Sequence, residues 1–380
     1  MPSFGMRINA IAAYLPPYLV SNALTAARLR LERGRVNRQR KSAGLASLTS
    51  DEAKEFTTND RWIQRFIGFH NRRFILDGEG TIDLAARAGQ LLFSQLKIDP
   101  DAIDAICFGR VTPSYLYSPP DAALLQEALG IPSQRDGMPR ELYGLDGSLA
   151  CSTWPAMLQA VYARIRSGMS KNVLLVGADA MSTTINWRDR AFATVLGDAG
   201  TVAWCSAVPE EEDWFSPTQF WSWMDGAYAH VIETPCGGSR RPLRTADELI
   251  QYQNRLAMNG RVVKDLFVPF MSGPGIDAIL TKAGWSLEDI DFATMHEANR
   301  AQINGPIVAS WKKRGFRGEV LDADGQIGNT TSASIPAAVT MHPQQMVPGK
   351  RFIWVGFGGG ASASSALGTV RHPIELICNI

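Results

Sequence analysis

Short apolar strands alternate with stretches of helical periodicity along most of this chain, and that alternation confines it to βαβ units built around mostly parallel sheet. The run from Ile8 to Leu15 reads as a buried strand stopped by Pro16 and Pro17. Helical spacing follows over residues 83–95, 122–129 (ended by Gly130) and 153–167, and strands are expected over 103–108, 142–145 and 172–177. From about 209 to 242 the pattern gives way to an acidic, Trp-containing stretch, Glu210-Glu211-Glu212-Asp213-Trp214, which reads as the junction between halves at 1–208 and 209–380. Beyond it, helices are expected over 247–268 and 275–283, and strands over 292–295 and 352–357. Each half carries a strand leading into a glycine that reads as a turn, Val176-Gly177 and Val355-Gly356, so a duplicated α/β unit is the economical inference.

At 380 residues and 45% hydrophobic content the chain can bury a large core. Its 38 basic and 37 acidic residues argue against a protein that tracks nucleic-acid phosphates, so an anionic partner has to be met by a local patch. Residues 28–41 are rich in arginine, with Glu32 the lone acid, and read as a solvated helix or an ordered insertion; a docking surface for an acidic carrier is the other reading. The cysteines at 107, 151, 205, 236 and 378 form no CxxC pair and no Cys/His spacing suited to zinc, so no metal is expected and four of them read as buried, reduced apolar residues. The first apolar run is too short to span a bilayer and lacks a small-residue cleavage site, which gives the expectation of a cytoplasmic protein with no membrane partner.

Four segments carry chemistry. Cys151 lies in Leu149-Ala150-Cys151-Ser152-Thr153-Trp154, after a strand and at the start of an apolar helix, where the positive end of the helix dipole is expected to favour thiolate. His296, in Met295-His296-Glu297-Ala298-Asn299, stands at the carboxyl end of a strand, where α/β active sites collect. Asn329 sits among small residues in Gly328-Asn329-Thr330-Thr331-Ser332-Ala333-Ser334-Ile335-Pro336. Gly356-Phe357-Gly358-Gly359-Gly360 permits close backbone approach and can aim an N–H at a developing oxyanion.

In order and approximate spacing these four segments resemble the active-site segments of β-ketoacyl-acyl-carrier-protein synthase III and its relatives. The likeness extends to Thr58-Asn59-Asp60-Arg61-Trp62-Ile63, similar to the family's early coenzyme-binding segment, to Leu196-Gly197-Asp198-Ala199-Gly200 and to Met258-Asn259-Gly260-Arg261. The resemblance implies a thiolase fold in five layers, αβαβα, working as a homodimer. It also implies that Cys151 takes an acyl group from a coenzyme A or carrier-protein thioester, with no other cofactor. His296 and Asn329 would then stabilise the enolate of a second, malonyl- or β-ketoacyl-type thioester, and the N–H groups of Cys151 and Gly359 would hold the oxyanion. Trp62, Ser118, Asn299 and Phe357 are the expected substrate contacts, Ser118 standing where the family's tunnel-closing aromatic of the partner subunit aligns. Lys312, Lys313 and Arg314 are the expected docking site for an acidic acyl carrier protein.

Several positions depart from the family pattern. Glu297 replaces a usual Gln, Thr153 and Trp154 replace smaller residues, Phe66 replaces an arginine, and the insertion around residues 28–50 is extra. These departures point toward a specialised relative in polyketide or fatty-acid-derived secondary metabolism, with condensation, and cyclisation after it, as the first reading. Transfer of an acyl group to a hydroxyl or amine is the second. Retention of Cys151, His296 and Asn329 argues against a non-catalytic partner subunit, and the glycine-rich segments argue against a cysteine hydrolase.

Overall fold

The computed structural model describes residues 4–215, 220–251 and 254–380. Residues 216–219 of the expected junction and 252–253 of the expected helix lie outside the described residues.

Two sheets form the frame. The first contains β1 (Gly5–Tyr14), β2 (Ala105–Gly109), β3 (Tyr143–Gly147), β4 (Asn172–Ala180) and β5 (Asp198–Val208). The second contains β6 (Phe220–Met224), β7 (Phe292–Met295), β8 (Glu319–Val320), β9 (Arg351–Gly358) and β10 (Ser362–Thr369). The first runs β1-β5-β4-β2-β3 and the second β6-β10-β9-β7-β8. In each, two antiparallel pairings are followed by two parallel ones. The topology is therefore repeated strand for strand. One strand breaks the division by sequence: β11 (Glu375–Cys378) pairs in parallel with β1 at the edge of the first sheet, so the last residues of the chain return to the first half.

Helices cover both sheets and separate them. α1 (Asn22–Ser42) and α2 (Asp60–Phe66) lie at one end, and α3 (Thr81–Leu96) covers the outer face of the first sheet. α4 (Thr153–Arg166) and α8 (Ser334–Thr340) touch strands of both sheets and form the middle layer. α5 (Gly260–Ser272), α6 (Pro274–Ala283) and α7 (Gly305–Lys313) cover the outer face of the second sheet. On β4, Val173 and Leu175 point to the middle layer while Leu174 and Val176 point to α3; on β9, Phe352 and Trp354 point inward and Ile353, Val355 and Phe357 outward. Burial on both faces explains why these strands read as unbroken apolar runs. α4 buries Trp154, Leu158, Val161 and Ile165 between the sheets; truncating such a core Trp to Ala costs about 3–5 kcal/mol.

Two expectations need correction. Gly177 and Gly356 lie inside β4 and β9 rather than in turns. A Cβ on Gly177 would come within 2.7 Å of the Ser332 carbonyl, and one on Gly356 within 2.7 Å of Ser152 Cα. Both glycines thus let a neighbouring loop press onto the sheet. The single helix expected over 247–268 is instead a turn of helix at Ala246–Ile250, a two-residue strand at Ala257–Met258, and α5. Asn259 caps α5 through its side chain and restarts the helix there.

The arginine-rich segment is the solvated helix expected of it. Ser21 caps α1, the inner face buries Thr25, Leu29 and Val36, and Arg30, Arg38 and Lys41 face water. Its inner end is tied to α2 by Asn22, whose amide donates to Asp60 Oδ1 at 2.7 Å. No helix among the described residues is long and apolar enough to cross a membrane.

Candidate active site

The turn after β3 presents Cys151. Ala150 adopts φ +47°, a left-handed conformation costly for a residue with a side chain. Hydrogen bonds hold it there: Thr153 Oγ1 donates to the Ala150 carbonyl at 2.6 Å, and Ser152 Oγ donates to the Leu149 carbonyl at 2.6 Å. Ser152 Oγ also meets Ser362 Oγ at 2.7 Å, while Ser362 Oγ lies 2.8 Å from the Gly359 carbonyl. The cysteine turn is thereby joined to the glycine turn after β9. Gly358 is required by contact, because a Cβ there would sit 2.9 Å from Cys151 Sγ.

His296 follows β7. Its N–H donates to the Val355 carbonyl at 3.0 Å, its own carbonyl accepts from Asn304 Nδ2 at 3.0 Å, and its ring meets Phe357 edge-on at 4.8 Å. Burial drives the imidazole down to about 3, so it is neutral, and its Nδ1 is buried with no hydrogen-bond partner among the described residues. Asn329 is held by its backbone, which donates to the Val195 carbonyl at 2.8 Å and accepts from the Gly197 N–H at 3.0 Å. Its Oδ1 accepts from the Thr331 N–H at 2.9 Å.

Cys151, His296 and Asn329 all line one cavity of about 1010 Å³, together with Gly358, Gly359 and Gly360. Its apolar walls include Phe66, Met181, Phe192, Leu256 and Met258. The expected thiolate is not the resting state here. Burial, with the Asp179 carboxylate adding to it, pushes the Cys151 thiol up to about 12, against the opposing N–H groups of Gly359 and Cys151 itself. Cys151 is partly exposed to the cavity, yet desolvation by the protein around its sulfur outweighs the donors at the helix start. With the thiol and the imidazole that share this cavity both neutral at rest, the thiol gives up its proton as the acyl group is taken on, and the two backbone N–H groups at the sulfur can hold an oxyanion formed there.

Of the expected substrate contacts, Trp62, Asn299 and Phe357 line the cavity. Trp62 is covered by the Arg190 guanidinium at 4.3 Å and packs on Phe66 at 5.2 Å. Asn299 caps the turn that follows it, accepting from the Gln302 N–H at 2.8 Å, and its amide donates to the Phe66 carbonyl at 3.1 Å. Ser118 is exposed and lies off the cavity lining of its own chain. Lys312, Lys313 and Arg314 also lie off it: Lys312 lines a second cavity of about 650 Å³, and Arg314 is engaged by Asp277 and the Ser272 carbonyl. The cations that do line the first cavity are Arg261 and Lys264 of α5. Sequence reasoning missed Arg190, Phe192, Met181 and Lys264. Only Lys264 carried a signal, standing one helical turn after Arg261 in an already noted segment.

Glu297 turns away from the main cavity into the second one. It is 2% exposed, its oxygens make no close, well-aligned hydrogen bond among the described residues, and its nearest cation, Arg300 Nε, is 3.6 Å away. Burial pushes its carboxyl up to about 8, with Asp322 adding to the shift; Arg300 and the amides of Ala323 and Gly325 oppose it without cancelling it. A carboxyl whose folded value lies above its unfolded one destabilises the fold as pH rises from about 4.5 through about 8, because the unfolded chain gives up the proton first. Glu297→Gln keeps the shape and removes the titration. Thermal melts across that window should show wild type losing stability relative to Glu297→Gln as pH rises; parallel curves would contradict the assignment.

An α/β chain with two topologically repeated sheets, a middle helix layer and a cysteine, a histidine and an asparagine on one cavity has the thiolase fold. A solved 3-oxoacyl-(acyl-carrier-protein) synthase III, 24% identical, superposes with a TM-score of 0.78 over 96% of this chain and 99% of that one. The synthase III of Thermus thermophilus does so at 28% identity and 0.74, over 95% and 98%. Profiles of 3-oxoacyl-[acyl-carrier-protein (ACP)] synthase III and of its C-terminal part match residues 145–222 and 280–370. The β-ketoacyl-[acyl-carrier-protein] synthase III of Aliarcobacter butzleri is 30% identical over 94% of this chain and 96% of its own length, and that of Sulfurovum sp. is 30% identical over 94% of each. The chain belongs to the β-ketoacyl-[acyl-carrier-protein] synthase III family, and is an acyl-transferring condensing enzyme.

Proposed function

We infer that the chain takes an acyl group from a coenzyme A or carrier-protein thioester onto Cys151 and joins it to a second, malonyl- or β-ketoacyl-type thioester. The observation that carries this reading is the convergence of Cys151, His296, Asn329 and the Gly358–Gly360 turn on one cavity. In the first half-reaction Cys151 Sγ bonds to the acyl carbon, the donor thiolate leaves, and the thiol proton ends on it. In the second, a malonyl-type unit loses CO2, or a β-ketoacyl-type unit gives up its α proton, to leave an enolate whose carbon attacks the acyl carbon; Cys151 leaves as thiolate and takes up a proton from water to regain its resting thiol. His296 is neutral and Asn329 carries an amide, so both suit an enolate oxygen, which a carboxylate would repel. That chemistry favours carbon–carbon bond formation over transfer to a hydroxyl or amine.

The size and apolar walls of the cavity support an extended acyl chain, and with it a role in polyketide or fatty-acid-derived secondary metabolism. The Arg190 guanidinium on Trp62 supports a phosphate-bearing donor at the same wall. Homodimerisation and a cytoplasmic setting complete the reading.

Intact-protein mass measurement after exposure to matched carrier-bound and coenzyme A donors tests it. A mass added at Cys151 is expected, and no adduct from any acyl thioester would reject the reading. Alanine at Arg261 and Lys264, on the cavity, should slow the carrier-bound donor more than the coenzyme A donor, and raised salt should do the same. Alanine at Lys312 and Lys313, both exposed, tests docking away from the cavity in the same assay. Equal effects on both donors from either pair would reject electrostatic carrier docking there.

A further inference from the structure

Asp179, at the end of β4, is wholly buried and no Lys or Arg among the described residues forms an ion pair with it. Its surroundings are nonetheless full of donors. Oδ1 accepts from the N–H groups of Val111 and Thr112 at 2.6 and 2.8 Å and from Thr112 Oγ1 at 2.9 Å. Oδ2 accepts from Thr331 Oγ1 and Ser332 Oγ, each at 2.5 Å, and from the Ser332 N–H at 3.1 Å. A carboxylate can accept about four hydrogen bonds comfortably, so this one is crowded by two loops at once. Burial pushes the Asp179 carboxyl up, and the hydrogen bonds from Ser332, Thr331, Thr112 and Val111 oppose that shift by favouring the ionised form.

The second loop is the one that carries Asn329. Thr331 has φ +46°, an unfavourable conformation for a β-branched residue, and its hydroxyl is held by Asp179 while its N–H donates to Asn329 Oδ1 at 2.9 Å. With Oδ1 so engaged, the Asn329 Nδ2 group is left for the cavity that Asn329 lines. The chain of contacts therefore runs from the carboxylate through a strained threonine to the amide that faces substrate.

We propose that Asp179 is a positioning residue of the condensation step: through Thr331 it fixes the direction of the Asn329 side-chain amide. It does not touch the reacting atoms. The proposal rests on the enolate role given to Asn329 above and extends it to a residue that lies outside the cavity. The same carboxylate acts on two other titratable groups, Cys151 and Asp198, and in both it disfavours the negative charge. Removing its charge should therefore make the Cys151 thiol easier to ionise, which loss of a purely structural residue would not do.

Asp179→Asn and the pair Thr331→Val and Thr331→Ser, each checked for folding by thermal melts, test this. Wild type acylating at Cys151 and forming product establishes the underlying reading independently of any of these variants. Asp179→Asn is expected to acylate Cys151 within about threefold of wild type, to lose condensation by about 10²-fold, the cost of one misplaced oxyanion donor, and to show Cys151 alkylation rising at lower pH. Thr331→Val should show the selective loss of condensation and Thr331→Ser should restore it; these carry the test even where Asp179→Asn fails to fold. Unchanged condensation in Thr331→Val, equal loss of both half-reactions, or an unmoved alkylation profile in a folded Asp179→Asn would overturn the proposal.

Discussion

Cys151→Ala should take up no acyl group from any thioester while keeping its melting temperature within a few degrees of wild type. The loss should be complete because the other cysteines offer no substitute nucleophile. Cys107 and Cys205 are buried in the sheet core, where burial pushes their thiols up, and neither they nor Cys236 and Cys378 line the cavity. The fold should survive because Cys151 contributes only its Sγ, resting against Gly358, and alanine retains the Cβ that the turn requires. The Ala150 conformation is held by Thr153 and Ser152, which the substitution leaves in place. In wild type, the high resting value of the thiol gives a second expectation. Alkylation of Cys151 should keep accelerating across the alkaline range instead of levelling near the free-cysteine value of about 8.5. Intact mass and a pH series with a small alkylating agent measure both; an acylated Cys151→Ala protein would show that the nucleophile lies elsewhere.

Much of this site could be read from the residues because its parts sit at the ends of strands and announce themselves locally. The strand before His296 and the glycine run that closes β9 each lie in a segment whose composition has few other uses. The repeat of the sheet topology was legible only in outline, since strand order depends on pairings between distant segments that no local period encodes. Three features were out of reach for definite reasons. The ionisation of Cys151 turns on desolvation by the residues folded around its sulfur, and a helix start looks the same in sequence whether it faces open water or the wall of a cavity. The return of β11 to the first sheet is a contact between the two ends of the chain. The docking expectation at residues 312–314 followed a cluster of like charge, but charge clusters do not say which cavity they face: Lys312 faces the second one, while the better separated Arg261 and Lys264 face the first.

Asn329→Ala should separate the two half-reactions. Acyl transfer to Cys151 needs the sulfur, a route for its proton and the N–H groups of Cys151 and Gly359, none of which passes through the asparagine side chain. Condensation needs donors on the second thioester's oxygen while negative charge gathers there, and a preorganised donor in a site shielded from water is worth far more than in solution. Loss of one such donor lowers turnover by about 10²–10³-fold. The remaining donor, His296, cannot make up the difference as a cation, because burial holds its imidazole neutral at about 3. Truncation also frees the Thr331 N–H that Asn329 Oδ1 had accepted, but the backbone of residue 329 keeps its bonds to Val195 and Gly197, so the loop should stay in place. Single-turnover measurement would follow acyl-enzyme formation by intact mass and product release in the same sample. The expected result is a normal rate of acylation followed by an acyl-enzyme that persists. If Asn329→Ala instead turned over at close to the wild-type rate, the enolate would not be the species this cavity is built to hold, and transfer to a hydroxyl or amine would be the better account of the reaction.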